Sequence, residues 1–279
     1  MIYILICITC TTSILIIFRL LARFGADTNH TILVSYAFAA MFGIVLLPVA
    51  QYEWLSIWII PAALEGVAFY AVFHLMARST TLSGIAFTSV ASKMSVIIPV
   101  TIGLVFLDET RNAYVFLGVL LGLTSVVLSV GQSPVSTNWG WPLLVFLGSG
   151  AIDASFKLLQ VSGLTEQQFP GFITTVFIFA LLTGLLHSSI RRSSNIQIPS
   201  ILAGAALGLA NLGTVYFIMR ALAIPSLDST VVYSLNSFGI VLTSTLVALL
   251  MFREPIYMKG YVGILLAVLS ISFLYIAKL

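Results

Sequence analysis

Four charged side chains stand inside stretches that otherwise hold apolar and small residues: Glu65, Lys93, Asp153 and Lys157. A charge near the centre of a bilayer costs about 2.5–3.5 kcal/mol on insertion scales, so such residues turn to a partner or to a watery cavity. Asp153 and Lys157 are four apart and share a helix face. They form either an internal salt bridge or a cavity-lining pair that opens to receive a polar solute. Glu65 and Lys93 have no such neighbour in sequence; a mutual pair and a cavity-facing role are both open to them, and the two are compatible. Asn211 and Asn236 add uncharged hydrogen-bonding groups, and Tyr233, Ser92, Ser95 and Ser237 flank these positions. Singly, hydroxyl residues often bond their own helix backbone. As a set they predict a polar lining with both charge signs, suited to a small zwitterionic or amphipathic solute such as an amino acid.

The elements that carry these residues follow from composition. Sixty percent of the 279 residues are hydrophobic and 8% are charged, against roughly a quarter charged in a soluble domain. Lipid is therefore the main solvent. The net charge of +3 is small and spread along the chain, which gives no footprint for nucleic acid. A spanning helix needs about 20 apolar residues. On that criterion ten runs are expected, at 2–21, 31–50, 55–77, 83–107, 112–130, 140–160, 169–189, 199–221, 228–251 and 258–277. The first is read as a retained helix, since neither a basic n-region nor a small-residue cleavage site precedes Arg19. Pro99 is expected to kink the fourth run near Lys93 and to free carbonyls there. No loop is long enough to fold as a soluble domain.

A repeat organises the runs. Val105-Phe-Leu-Asp108-Glu109-Thr110-Arg111 and the sequence through Gly118 and Gly122 align without a gap on Leu250-Met-Phe-Arg253-Glu254-Pro255-Ile256 and the sequence through Gly263 and Ala267. Phe73-His-Leu-Met76 resembles Tyr216-Phe-Ile-Met219, and Phe18-Arg19 resembles Phe156-Lys157. The most polar linker, Gly131–Asn138, falls between two sets of five runs. An odd number of spans per half makes the second half enter from the opposite side, so residues 1–131 and 139–279 are expected to be inverted repeats. The repeat does not copy every charge: Glu65 aligns with Gly208 and Lys93 with Phe238. That broken symmetry marks them as the leading site residues.

Ten spans in two halves, with Leu107-Asp108-Glu109-Thr110 before Gly118 and Phe252-Arg253-Glu254-Pro255 before Gly263, resemble the drug/metabolite transporter superfamily, specifically its EamA-type members. Ala221-Leu222-Ala223-Ile224-Pro225 is similar to that family's second-half pattern, whereas Arg78-Ser-Thr-Thr stands where the first half would carry a comparable turn. The resemblance implies an all-α integral membrane protein and a secondary transporter working by alternating access. On that reading it is an exporter in the cell (inner) membrane that needs no cofactor. It also implies cytoplasmic termini, whereas the Lys and Arg count at the helix ends places them outside. A multidrug or cation exporter, and a non-transporting structural or lipid-handling subunit, are the alternatives.

The remaining motifs have plainer readings. Glu109 and Glu254, beside Arg111 and Arg253, are read as interfacial anchors, with gating as the alternative. The small pairs Gly118/Gly122 and Gly263/Ala267 permit close helix approach, within the chain or across a homodimer. Cys7 and Cys10 are packing residues. His30, His74 and His187 lack a spacing that suggests a shared metal, and neither a Walker A loop nor a hydrolase elbow is present; an enzyme is not expected.

Overall fold

The computed structural model describes residues 2–46, 55–106, 113–129, 139–165, 167–191, 197–222, 229–254 and 256–276. Among them there are eleven α-helices and no strand: α1 (Ile2–Leu20), α2 (Thr28–Leu46), α3 (Leu55–Ser83), α4 (Ile85–Met94), α5 (Ile97–Phe106), α6 (Ala113–Ser129), α7 (Gly140–Val161), α8 (Phe169–Arg191), α9 (Ile198–Leu222), α10 (Ser229–Leu250) and α11 (Met258–Ile276). Seven stretches are long and apolar enough to cross a membrane, and three shorter apolar ones lie in α6, α10 and α11. The protein is an all-α membrane protein.

Its surface and interior are arranged for lipid. Large apolar side chains such as Ile57, Ile60, Leu186 and Leu202 stand outward, whereas Thr31, Ser35, Ser79, Thr88, Ser200, Ser244 and Ser270 are fully buried. With no hydrophobic gain from moving Leu out of lipid, helices associate through close packing and hydrogen bonds, which small and hydroxylated residues provide. A Cβ added at Gly208 of α9 would sit 2.6 Å from the Ser35 carbonyl oxygen of α2. One added at Gly66 of α3 would sit 2.8 Å from the Val176 carbonyl of α8. These glycines let backbones touch. On α6, the Gly118 carbonyl accepts a 2.6 Å bond from the Ser270 hydroxyl of α11, and Ala267 is fully buried. The small-residue faces of α6 and α11 thus cover one another inside one chain. The main packing partners are α6 with α11, α2 with α8 and α9, α3 with α7 and α8, α1 with α9 and α10, and α4 with α7 and α10.

Two expected runs come out differently. The fourth divides into α4 and α5, with the break at Ser95–Val96 rather than at Pro99. Pro99 is the third residue of α5, in the first turn, where a missing N–H leaves nothing unsatisfied; the first turn of α5 is closed instead by Ile98 N donating to Ser95 O at 2.9 Å. The third run, expected to end at 77, continues through Arg78-Ser-Thr-Thr to Ser83. Arg78 lies over the Trp141 ring at 5.9 Å, and Thr81 bonds back to the Ala77 carbonyl at 2.9 Å. Gly84, at φ 97°, then turns the chain into α4.

Candidate functional site: an ion-lined cavity beside a broken helix

The helix break sets the site. Lys93 occupies the last turn of the ten-residue α4, where the helix dipole favours a cation. Ser95, two residues on, bonds the Ser92 carbonyl at 2.6 Å and Asp153 Oδ2 of α7 at 3.0 Å. Asp153 is therefore fixed to the break itself, and Lys93 is the cation whose charge acts on it. The two face a cavity of about 140 Å³ whose polar wall is Ser92, Lys93, Ser149 and Asp153. Its apolar wall is Phe69, Val72, Phe73 and Met76 of α3 with Ile152 of α7. A dry cavity near 150 Å³ holds a benzene-sized guest, so this volume suits a solute of roughly six to nine heavy atoms.

The other expected site residues take different places. Asp153 turns to Ser95 and Lys93, whereas Lys157, one turn along α7, donates to the Pro99 carbonyl of α5 at 3.2 Å. The shared helix face expected for Asp153 and Lys157 is there, and each uses it to reach a different segment of the broken helix. Glu65 lies one turn before Phe69 on α3, next to the cavity lining. It is buried, accepts a hydrogen bond from Ser155 of α7 on Oε1, and has no hydrogen-bond partner on Oε2. Glu65 is thus served by Ser155, and Lys93 is placed beside Asp153 on the cavity wall rather than beside Glu65. Asn211 and Asn236 are buried on α9 and α10, with Asn211 Nδ2 and Asn236 Oδ1 lacking partners. Both of their helices pack on α1, whose polar face bonds them: Thr11 to Thr214 at 3.2 Å and Thr12 to Thr243 at 2.9 Å. Neither asparagine lines the cavity. Tyr233 is within α10, and its side chain lies outside the described residues, as does Glu109.

Two features escaped sequence reasoning. The apolar wall is a stripe on α3 at 69, 72, 73 and 76, the helical continuation of Glu65; periodicity alone makes it one face of a buried helix. A second polar cluster joins Tyr70 Oη to His187 Nδ1 at 2.7 Å and His74 Nε2 to Asn29 Oδ1 at 2.9 Å. Its histidines come from opposite halves of the chain, so no local spacing announces it.

Glu254 has a partner that the sequence did not indicate. Its carboxylate pairs with Arg19 Nε at 3.4 Å and accepts from the Ile85 amide at 3.0 and 3.2 Å. Burial raises its carboxyl above the usual glutamate range, while Arg19 and the Ile85 and Ala86 amides pull it back.

Fold and site together define a helical membrane protein with a charged pocket at a discontinuous helix. No family model matches the chain. An uncharacterized protein of Haemophilus influenzae is 24% identical over 216 residues, covering 75% of this chain and 73% of its own length. A crystal structure of a protein superposes over 99% of this chain and 98% of that one, with 16% sequence identity and a TM-score of 0.59. The likeness shows a shared fold.

Proposed function

We propose that the chain is a secondary transporter of the drug/metabolite, EamA-like kind, moving a small zwitterionic or amphipathic metabolite such as an amino acid across the cell (inner) membrane, in the export direction. The observation that carries this reading is that Lys93 and Asp153 line one cavity. Opposite charges from facing helices line a cavity with an apolar opposite wall. Asp153 is exposed and Lys93 half-buried, so both charges stand open to that volume, whereas fully burying them unpaired would cost several kcal/mol each. A solute with an ammonium, a carboxylate and a short apolar chain complements all three surfaces.

Helix packing supports two related five-span halves, and the odd number of spans in each is what would invert them. Pairing α1 with α7, α2 with α8, α3 with α9, α4 and α5 with α10, and α6 with α11 maps the most extensive packing contacts onto one another. The α1–α9 contact becomes α7–α3, α2–α9 becomes α8–α3, and α1–α10 becomes α7 with α4 and α5. The α2–α8 and α6–α11 contacts map onto themselves. A duplicated architecture of that kind provides two related arrangements around one central site, which is what alternating access needs.

The test is flux in proteoliposomes across amino acids, nucleosides and lipophilic cations, with and without a pH gradient. Transport of a small zwitterion that Lys93→Ala abolishes supports the reading. Flux confined to lipophilic cations and lost on Glu65→Gln points to the cation-exporter alternative, and no flux of any solute points to a structural or lipid-handling role.

A further inference from the structure

The end of α4 remote from the cavity is locked by side chains from two other helices. Glu254 follows α10, whose last turn closes by Glu254 N donating to Ala248 O at 2.9 Å. This seven-residue closure places Arg253 in the left-handed region at φ 49°, the position glycine usually fills. The chain thus accepts backbone strain and thereby turns Glu254 inward. Its carboxylate meets the free amide of Ile85 at the amino end of α4. Arg19, paired with it, donates to the Thr80 carbonyl at 3.2 Å and to the Thr81 carbonyl, at the carboxyl end of α3. One ion pair therefore sets an anion on the positive end of α4 and a cation on the negative end of α3, complementing both dipoles. Gly84 sits between: a Cβ there would be 2.5 Å from Glu254 Oε2.

Beneath this lock is an apolar plug. Leu15, Ile85, Ala86 and Ala248 pack together with Met76, Phe252 and Ile256 at its margin. Met76 also lines the cavity, so the plug is the layer between the cavity and the face where Arg19 and Glu254 meet. Ile85 and Ala86 of the plug belong to α4, so movement of α4 parts it, and α4 is built as a separable piece. It is ten residues long, bounded by Gly84 at φ 97° and by the Ser95–Val96 turn, and it carries Lys93.

We infer that the Arg19–Glu254 pair, seated on the amino end of α4, is the gate that closes the cavity toward this face, and that α4 leaving Glu254 is the opening step. The inference rests on the transport reading. It assigns a gating role to one copy of the Glu-centred repeat and explains why Gly84 and the strained Arg253 accompany it.

The experiment reads accessibility, not transport. In full-length protein carrying Cys7→Ala and Cys10→Ala, Ser92→Cys reports on the cavity, and Phe24→Cys, an exposed position near Arg19, identifies the gate face. A membrane-impermeant thiol reagent is applied to each side of proteoliposomes. Glu254→Ala removes the anion, and Gly84→Ala displaces it while keeping both charges. Each is expected to speed labelling of Ser92→Cys from the Phe24 face by about five- to tenfold, the population shift that the loss of a helix cap corresponds to. Labelling from the opposite face is expected to stay level or slow. Unchanged rates in both variants, with melting temperatures near the parent's, overturn the gate, as does equal acceleration from both faces with a lowered melting temperature. A faster gate-face rate without flux of any solute keeps the gate and sinks the transport reading; solute flux with unchanged labelling does the reverse.

Discussion

The two ends of α4 differ in what surrounds their charges. At the amino end each group has a partner: Glu254 has Arg19 and the Ile85 amide, and Arg19 has two carbonyls of α3. At the carboxyl end, Lys93 and Asp153 face about 140 Å³ of cavity. Eight residues, about 12 Å of helix, separate a closed ion pair from two charges that share a cavity wall. Polar groups saturated within the fold hold a conformation; polar groups left facing a volume are available to a solute. The difference assigns the tasks: the amino end holds the position of α4, and the carboxyl end binds.

Substitutions break this contrast in graded ways. The largest effect is expected at the open end. Lys93→Ala removes the cation that would hold a solute carboxylate, a charge-assisted bond worth about 1.5–3 kcal/mol, so flux at low solute concentration should fall roughly tenfold to a hundredfold. Asp153→Asn should do the same for the ammonium end, and measured initial rates check both.

Next in size are the glycines that let helices touch. Gly208→Val forces side-chain atoms against the Ser35 carbonyl and is expected to destabilise by about 1–3 kcal/mol, read as a lower melting temperature in detergent, with the cavity chemistry untouched.

A smaller effect sharpens the comparison through pH. The Glu254 carboxyl is raised by burial in the closed corner, and in an opened corner it would meet water and return to the ordinary range. A protonated Glu254 still accepts from the Ile85 amide, a bond that Glu254→Ala removes; the closed state binds the proton more tightly, so acidification through the window between those two values favours closure. Labelling of Ser92→Cys from the gate face, corrected with Phe24→Cys for thiol ionisation, should slow as pH falls through that window. Glu254→Ala should remove the dependence; a rate that rises on acidification would contradict the sign.

The smallest effect is expected at Arg253. Glycine there removes a left-handed penalty of about 1–2 kcal/mol but adds unfolded-state entropy, leaving Arg253→Gly stabilising by roughly 0.5–1 kcal/mol in a thermal melt.

Much of the fold was legible because the bilayer requires apolar length, and the expected runs agree with most of the helices. Where they disagree, short-range polar bonding decides. Pro99 read as a kink in a continuous helix, but a proline in a first turn needs no partner, and Ser95 supplies the break. Lys93 and Asp153 were singled out because charges in apolar runs are costly, and they meet at one cavity. Asp153 and Lys157 looked like a local pair because spacing shows a shared face but not what approaches it; the broken helix separates them. Glu254 read as an anchor beside Arg253, since no sequence signal links it to Arg19, 235 positions away. The apolar wall of the cavity was invisible for a simpler reason: in lipid, an aromatic stripe facing a cavity and one facing a neighbour have the same composition.

The central claim is that the Lys93–Asp153 cavity is a solute site. Initial flux of a panel of small zwitterions into proteoliposomes, compared between the parent protein and Lys93→Ala at equal incorporation, tests it most directly. The parent is expected to move at least one of them, and Lys93→Ala to lose that flux by tenfold or more. Flux of every transported zwitterion at the parent's rate in Lys93→Ala would contradict it.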